Sequence, residues 1–551
     1  MLENNTNTTP QNEGASSGMP PKKLTVWLPF LFAVVLASGM LIGKRMSNFV
    51  GERIGERAGA AQGSGRLEEI LHYIDSKYVD GVKPDSIEER AIEHLLENLD
   101  PHSAFIPARD LQAVNDDLGG EFEGVGIEFA LLHDTINVMN VIGGGPSERA
   151  GLQLGDRIVK VNDTLVAGVK LKSSDVVHKL RGPKSSRVTV SVLRNGSKTL
   201  LSLAITRGKI PLYSVDASFM AAPNIGYIKV SKFGEKTYSE FMNASEELKT
   251  QGMKNLIIDL RGNGGGYLEA ATRILDQLFP EKTLLVYTVG REKDRRDYTS
   301  KGHPTFNFGK IAVLIDEGSA SASEITAGAL QDHDRATIIG RRSFGKGLVQ
   351  EQYDLTDGSA LRLTVARYYT PSGRCIQKPY KGKSKAYDDD LSERVKDGEL
   401  SHEDTTKQDR KTAFATDNGR KVYGGGGIMP DVFVPIDTIS NNRYLGELIP
   451  FISEFSFQYF TKNSSTLKAK YADMTAFAKE YEVSDAFVKD LVAFAATQKV
   501  KPNPAKLAAC EQSLKTRIKA YLARQLFKDK GFYFVINQND ATFKKAIEAL
   551  K

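Results

Sequence analysis

The sequence predicts a multidomain chain of mixed α+β and α/β class. It comprises an N-terminal transmembrane helix, a small helical domain, a compact β-rich domain, a mixed α/β core and a C-terminal helical region. Three observations carry this. The 551 residues exceed what a single hydrophobic core holds. One apolar run near the N-terminus is long enough to cross a bilayer. Further on, strand-like and helix-like patterns alternate and then give way to helical spacing alone.

Composition excludes several classes. Apolar residues make up 40% and charged residues 26% of the chain, ordinary for a folded protein. The net charge of +6 comes from 74 basic and 68 acidic residues without a dense basic block, so no nucleic acid partner is implied. Cys375 and Cys510 are the only cysteines, too few for a disulfide framework. The eight histidines are scattered without zinc-site spacing, so neither a metal nor another cofactor is expected.

Residues 1–23 read as a disordered, polar N-terminal segment ending in Lys22-Lys23. Residues 24–43 follow, twenty without a charge, matching a hydrocarbon core of ~30 Å. They read as a transmembrane anchor or a signal; Ala37-Ser38-Gly39 is small enough for a cleavage site. Lys22-Lys23 favour an N-terminus inside, although Lys44-Arg45 blur the asymmetry. Either reading places the bulk of the chain at the inner membrane's outer side, in the periplasm or otherwise outside the cytoplasm.

Residues 44–65 read as a linker and 66–117 as a helical domain, with Leu67, Ile70, Leu71, Ile74 and Tyr78 at three-to-four spacing. Its apolar faces suit packing or self-association, which leaves a homo-oligomer open. Residues 118–207 change character. Gly124-Val125-Gly126-Ile127 opens a strand, Ser173–Leu180 looks helical, and Arg187–Arg194 alternates before an Asn195-Gly196 turn. Residues 208–440 hold short apolar runs at Ile225–Val230, Leu256–Leu260, Leu284–Val289, Ile311–Ile315 and Ala336–Ile339, with helical patterns between. A charged stretch, 378–423, interrupts them and reads as an exposed insertion. Residues 441–551 are helical again, with no role readable from the residues.

Two settings carry chemistry. Ser321 sits in Gly318-Ser319-Ala320-Ser321-Ala322-Ser323-Glu324, after an apolar strand. Lys346 lies 25 positions on, in Phe344-Gly345-Lys346-Gly347. A serine at a strand-to-helix turn and a lysine in a tight glycine-flanked loop suit a Ser–Lys hydrolase, where a neutral amine removes the hydroxyl proton. Lowering a lysine from ~10.4 to about 7–8 takes roughly 4 kcal/mol, which burial can supply. Gln350, four positions later, has a carbonyl oxygen able to orient the amine. Two alternatives fit worse. Gly340 to Gly347 nearly matches a nucleotide-binding loop, but Gly347 replaces the Ser or Thr that would hold Mg²⁺. No Gly-x-Ser-x-Gly elbow surrounds Ser321, and His333 reads as a surface or capping residue.

Together these segments resemble the C-terminal processing peptidases, or tail-specific proteases. Asp259-Leu260-Arg261-Gly262-Asn263-Gly264-Gly265-Gly266, Tyr369-Thr370-Pro371-Ser372-Gly373-Arg374, Gly427-Ile428-Met429-Pro430-Asp431 and Leu99-Asp100-Pro101-His102-Ser103 match as well, across roughly 66–437. The resemblance implies Ser321 as nucleophile, Lys346 as base, and Gln350 as its orienting partner. For the oxyanion it implies the Ala322 N–H and one donor from the glycine turn, taken as Gly265. Residues 118–207 resemble a PDZ domain. There Gly124, Val125, Gly126 and Ile127 correspond to the loop whose N–H groups receive a peptide's terminal carboxylate. Arg181, at that domain's boundary, reads as a solvated helix-end cation or as a reporter of occupancy. The implied partners are proteins or peptides with exposed C-termini. A membrane-tethered PDZ scaffold with an inactive protease fold is the alternative.

Overall fold

The computed structural model describes residues 65–194, 197, 199–302, 304–380, 387, 389–402, 413–440 and 442–551. The expected segment 1–23, the apolar run 24–43, the linker up to residue 64 and the Asn195-Gly196 turn lie outside the described residues. Among the described residues, no helix is long and apolar enough to cross a membrane. The described residues up to Ala91 form a unit of their own. In it the helix Gly65–Lys77 has no buried residue, and Leu67, Ile70 and Tyr73 are exposed.

The centre of the second unit is a six-stranded sheet. Its order is Val215–Ala222, Ile225–Val230, Asn255–Asp259, Ile311–Ile315, Ala336–Gly340, Val432–Phe433, and only the first pair is antiparallel. The parallel strands are buried on both faces, which is why they read as unbroken apolar runs. Alternate residues serve opposite cores. Ile258, Val313 and Ile338 pack with Phe241, Ile274 and Leu330 from the helices Thr237–Thr250, Leu268–Asp276 and Ala322–Asp332. Ile257, Ala312 and Ile339 pack with Phe543, Ala546 and Leu550 of the last helix, Ala541–Leu550. The core expected to end at 440 therefore borrows its second cover from the chain's final residues.

A second sheet places Ala104–Ile106, Ala360–Tyr369, Leu284–Gly290 and Arg295–Thr299 in that order, with Leu348–Asp354 also paired to Ala360–Tyr369. The segment expected to be purely helical, 66–117, thus contributes a strand. Asp100 breaks the helical run: its carboxylate accepts the N–H groups of His102 and Ser103 at 2.8 and 2.9 Å and the Ser103 hydroxyl at 2.6 Å.

Residues 121–211 form a separate β-rich body. Its sheet runs Ile127–Leu132, Thr135–Val141, Arg157–Val161, Arg187–Leu193, Leu201–Thr206, with the helix Ser173–Leu180 alongside. Ile136, Val138, Ile158, Val176 and Val190 fill its core. Beyond residue 442, the helices Arg443–Lys470, Met474–Glu480, Asp485–Thr497 and Pro504–Asn537 bury a core of their own around Leu448, Phe460, Phe477, Leu491 and Leu514.

The stretch 378–423 is not simply exposed. Tyr387, Arg394, Glu399 and Leu400 are buried. Arg394 donates to the carbonyls of Arg342 (2.7 Å) and Ser343 (3.2 Å), and Glu399 accepts from both Arg394 and Arg342. Charged residues are buried here because each finds an opposite charge or a carbonyl.

Candidate active site

Ser321 stands where the strand Ile311–Ile315 hands over to the helix Ala322–Asp332. Its backbone has φ 55° and ψ −114°, a conformation that non-glycine residues rarely hold unless their surroundings impose it. The neighbouring serines are employed otherwise. The Ser319 hydroxyl donates to the Leu260 carbonyl at 2.9 Å, and that of Ser323 to the Asn263 carbonyl at 2.9 Å. Both are fully buried, whereas Ser321 is half-buried and lines a cavity of about 570 Å³.

The space for this turn comes from the facing loop, which follows the strand Asn255–Asp259, not from glycines beside the serine. Gly265 has φ +101°, and a Cβ there would lie 2.7 Å from Ser321 Cβ and 2.8 Å from the Ala320 carbonyl oxygen. Asn263 ties the two loops. Its carbonyl accepts the Ala320 N–H at 3.0 Å, its Nδ2 donates to the Val230 carbonyl, and its Oδ1 accepts the Gly265 N–H at 2.8 Å. The amide of Gly265, expected as an oxyanion donor, is therefore engaged. Gly264, also on the cavity wall, has an N–H without an acceptor among the described residues. So has Ala322, the first residue of its helix, as first-turn N–H groups do.

Lys346 enters from the loop between the strands Ala336–Gly340 and Leu348–Asp354 and lines the same cavity as Ser321. A strand, not a helix, follows this loop, so the geometry of a nucleotide-binding loop is missing. Glu324 joins the two loops: its buried carboxylate accepts the N–H groups of Ser321 (2.9 Å), Gly345 (2.7 Å) and Lys346 (2.9 Å) and the Ser343 hydroxyl. Tyr368 joins them again, its hydroxyl directed at the carbonyls of Lys346 (2.6 Å) and Ser321 (3.1 Å). Lys346 Nζ donates to Gln350 Oε1 at 2.8 Å, and Gln350 Nε2 donates to the carbonyl of His102.

The electrostatics follow from burial. Lys346 is pushed below the usual lysine range, first by desolvation and then by the Arg362 charge, against the pull of Asp100 and Glu324. Burial lifts Glu324 to about 7 despite its four donors. His102 falls to about 4, through burial and then the nearby Lys346 charge. His333 stands apart at its helix's end, its ring nitrogens bonded to Asp417 and the Leu284 carbonyl.

The four residues Gly124 to Ile127 lead into the strand Ile127–Leu132, an edge of its sheet. The Val125 carbonyl accepts from Ser147 N (3.0 Å) and Oγ (2.7 Å), and the Gly126 carbonyl from Ile142 N. Gly126 has φ +79°, and a Cβ would meet Ile210 Cδ1 at 2.8 Å. Arg181 is not a solvated cation. Its Nη1 bonds Asp116 Oδ2 at 2.9 Å, and its guanidinium lies 4.5 Å above the Phe122 ring.

Sequence reasoning gave no part in the site to Asp100, His102 and Glu324, although their motifs were in view. Tyr387, Tyr368 and Asn263 carry no local signal of what they do.

Comparison with known proteins shows the family. The family model described as peptidase family S41 matches residues 224–382, a PDZ domain model matches 124–205, and a family of unknown function matches 450–529. A carboxy-terminal-processing protease of Bartonella bacilliformis is 37% identical over 344 residues, covering 60% of this chain and 78% of that protein. The carboxy-terminal processing protease CtpB of Bacillus subtilis is 35% identical, covering 57% and 65%. The solved photosystem II D1 C-terminal processing protease is 29% identical, covers 68% of this chain and 90% of its own, and superposes with a TM-score of 0.34. The chain belongs to the carboxy-terminal-processing protease family, S41 serine endopeptidases, and it carries a PDZ domain.

Proposed function

We propose that this protein is an envelope endopeptidase working through a Ser321–Lys346 dyad on proteins selected by their C-termini. The observation that supports it best is the placement of Lys346 Nζ: half-buried, held by Gln350 Oε1, and on the wall of the cavity that Ser321 also lines. Desolvation favours the neutral amine. That amine takes the Ser321 Oγ proton as Oγ attacks the scissile carbonyl. The developing oxyanion is met by the Ala322 N–H and by an amide of the Gly264–Gly266 turn, where the Gly265 N–H is taken by Asn263 and those of Gly264 and Gly266 have no acceptor among the described residues. The ammonium then returns its proton to the leaving amine. Water, deprotonated by the same lysine, hydrolyses the acyl-enzyme.

Selection of substrate rests on the PDZ domain. Its Gly124–Ile127 loop suits a terminal carboxylate, and the edge strand Ile127–Leu132 beside the helix Ser173–Leu180 suits an added peptide strand. The envelope location rests on Lys22-Lys23 and residues 24–43, read as a single-pass inner-membrane anchor with the N-terminus inside. A reporter active only outside the cytoplasm, fused after Lys551, should work; activity of a cytoplasm-only reporter there would refute that placement.

Full-length Ser321→Ala and Lys346→Ala should fold and fail to cleave an unstructured polypeptide with a free C-terminus. Lys346→Arg should be equally inactive, since a guanidinium stays charged. Turnover by Lys346→Arg would exclude the lysine as base. An intact wild type without any cleavage would favour a tethered scaffold instead.

A further inference from the structure

Residues 387 and 389–400 form a segment in the stretch that separates Gln377 from the Gly427–Asp431 segment, and it reaches the lysine by two routes. Tyr387, 4% exposed, shares a hydrogen bond with His102 Nε2 at 2.6 Å, although 285 positions separate them. The His102 carbonyl accepts Gln350 Nε2, and Gln350 Oε1 accepts Lys346 Nζ. The Tyr387 ring also stands edge-on to Phe344, two residues before the lysine, with centroids 5.9 Å apart. On the other side, Arg394 holds the carbonyls of Arg342 and Ser343, and Ser343 Oγ donates to Glu324.

We propose that this segment is a positioning strap for the general base, and that Tyr387 is its principal positioning residue, acting through His102 and Gln350. The proposal rests on the reading of Lys346 as base. A long flexible amine is useful as a base only if it is held, and Gln350 holds it only while its amide is turned one way. The His102 carbonyl sets that turn. Asp100 fixes the backbone of His102, and Tyr387 fixes its ring. The Tyr387 hydroxyl is the outermost member of the chain, does not line the cavity of Ser321 and Lys346, and lies beyond the residues that the S41 family model matches. The charged groups facing the two inner members are Arg362, Asp100 and Glu324 around Lys346, and Lys346, Asp100 and Lys378 around His102.

The test uses the full-length chain and one unstructured polypeptide substrate. Tyr387→Phe keeps the ring, its contact with Phe344 and the fold, and removes only the hydroxyl. It should lower kcat roughly tenfold with KM within about twofold, the pattern of a group that acts on the transition state alone. The acid limb of its kcat/KM profile should move to higher pH by about half a unit or more, because a loosened amine is better hydrated. His102→Phe keeps the backbone carbonyl and removes the ring nitrogen that pairs with the Tyr387 hydroxyl. It should match Tyr387→Phe, and the double variant should be no worse than either. Wild-type kcat and pH profile in Tyr387→Phe overturn the strap, as do fully additive losses in the double variant. Lys346→Ala is the control: activity there would sink the Ser–Lys reading itself, whereas an inactive Lys346→Ala beside an unaffected Tyr387→Phe sinks only the strap.

Discussion

Gln350 is oriented by a backbone atom of His102. Because its Nε2 donates to the His102 carbonyl, its Oε1 is the end that faces Lys346 Nζ, at 2.8 Å. Each end of the amide has one partner, so its two possible flips are not equivalent.

Gln350→Glu should therefore be more damaging than Gln350→Ala. A carboxylate accepts from the lysine but cannot donate to His102, and its charge stabilises the ammonium. The glutamate variant should lose at least about a hundredfold in kcat/KM at pH 7 and recover part of it at alkaline pH. The alanine variant should lose about tenfold, with an upward shift of the acid limb like that of Tyr387→Phe and smaller than that of the glutamate variant. Equal losses with superimposable pH profiles would show that orientation is not what Gln350 supplies.

The wild-type acid limb has a sign of its own. Lys346 is displaced below its ordinary value, so activity should rise through that lowered value as pH increases and should not wait for the range of a free lysine. Arg362→Gln removes the second contributor to the displacement. Its limb should move to higher pH with maximal kcat within about threefold, as followed by kcat/KM between pH 5 and 10. A limb that stays in place would mean that Arg362 is too well hydrated to matter.

Gly265 and Gly264 offer a paired test of the serine's strained turn. Alanine at 265 would put its Cβ 2.7 Å from that of Ser321 at φ +101°, whereas alanine at 264 meets nothing within 4 Å. Gly265→Ala should cost roughly 3 kcal/mol or more and abolish cleavage. Gly264→Ala should unfold within about 1 kcal/mol of wild type. Thermal melts and turnover on the same samples decide it; a stable, active Gly265→Ala would mean that the turn relaxes freely.

Most of the secondary structure was legible because it is written locally. Ile225–Val230 and Ile311–Ile315 are unbroken apolar runs, and parallel strands covered on both faces require that. Ser173–Leu180 was readable from its spacing alone. What was not legible depends on distant partners. Ala104–Ile106 looks like a break between helices and becomes a strand only because residues 360–362 pair with it. Phe543 and Leu550 belong to an ordinary amphipathic helix until the sheet they cover is known. At the site, Ser321 and Lys346, which line one cavity, were singled out by their unusual surroundings together with the family resemblance, which chose Ser321 among three serines. The amide of Gly265 was not, since a glycine-rich turn says that backbone comes close but not which N–H is free. Asn263 Oδ1 takes one of them. Nothing in a charged stretch distinguishes Tyr387 from a surface tyrosine.

Glu324 makes stability depend on pH in an identifiable direction. Its folded value of about 7 lies above the ordinary 4.5, with burial the main cause. For an acid raised on folding, the favourable contribution is complete below 4.5 and is lost as pH climbs through 7. The full loss is about 3 kcal/mol. Glu324→Gln cannot titrate, so the difference in Tm between wild type and variant should shrink from pH 4.5 to pH 7.5. Parallel Tm curves would show that its four donors outweigh the burial and keep the carboxylate ionised throughout.

Arg181 ties the end of the helix Ser173–Leu180 to the helix Ala108–Gly119, which lines the cavity of Ser321 and Lys346. It directly follows the helix Ser173–Leu180, one wall of the groove, and its guanidinium holds Asp116 at 2.9 Å. Asp116 is only 11% exposed and belongs to the helix Ala108–Gly119, whose Asn115, Asp117 and Leu118 line the cavity with Ser321 and Lys346. A tail seated beside the groove's helix can therefore bias the cavity wall through one charge-assisted bond, a coupling of the order of 1–3 kcal/mol, or about 5- to 150-fold. The reading calls for one substrate in free-acid and amidated forms. Wild type should prefer the free acid within that range. Arg181→Ala should bring the ratio towards one while cleavage of the amidated form changes less than about threefold, because catalytic groups are untouched. Asp116→Asn should do the same, and the double variant should add little. Gly126→Val is a poor probe of the same idea, since its Cβ would strike Ile210 and disturb the loop as a whole. If Arg181→Ala keeps the full preference for the free acid, the ion pair is merely a strut between the PDZ domain and its neighbour. If wild type shows no preference, tail recognition itself is absent, and the serine and lysine assignments stand without it.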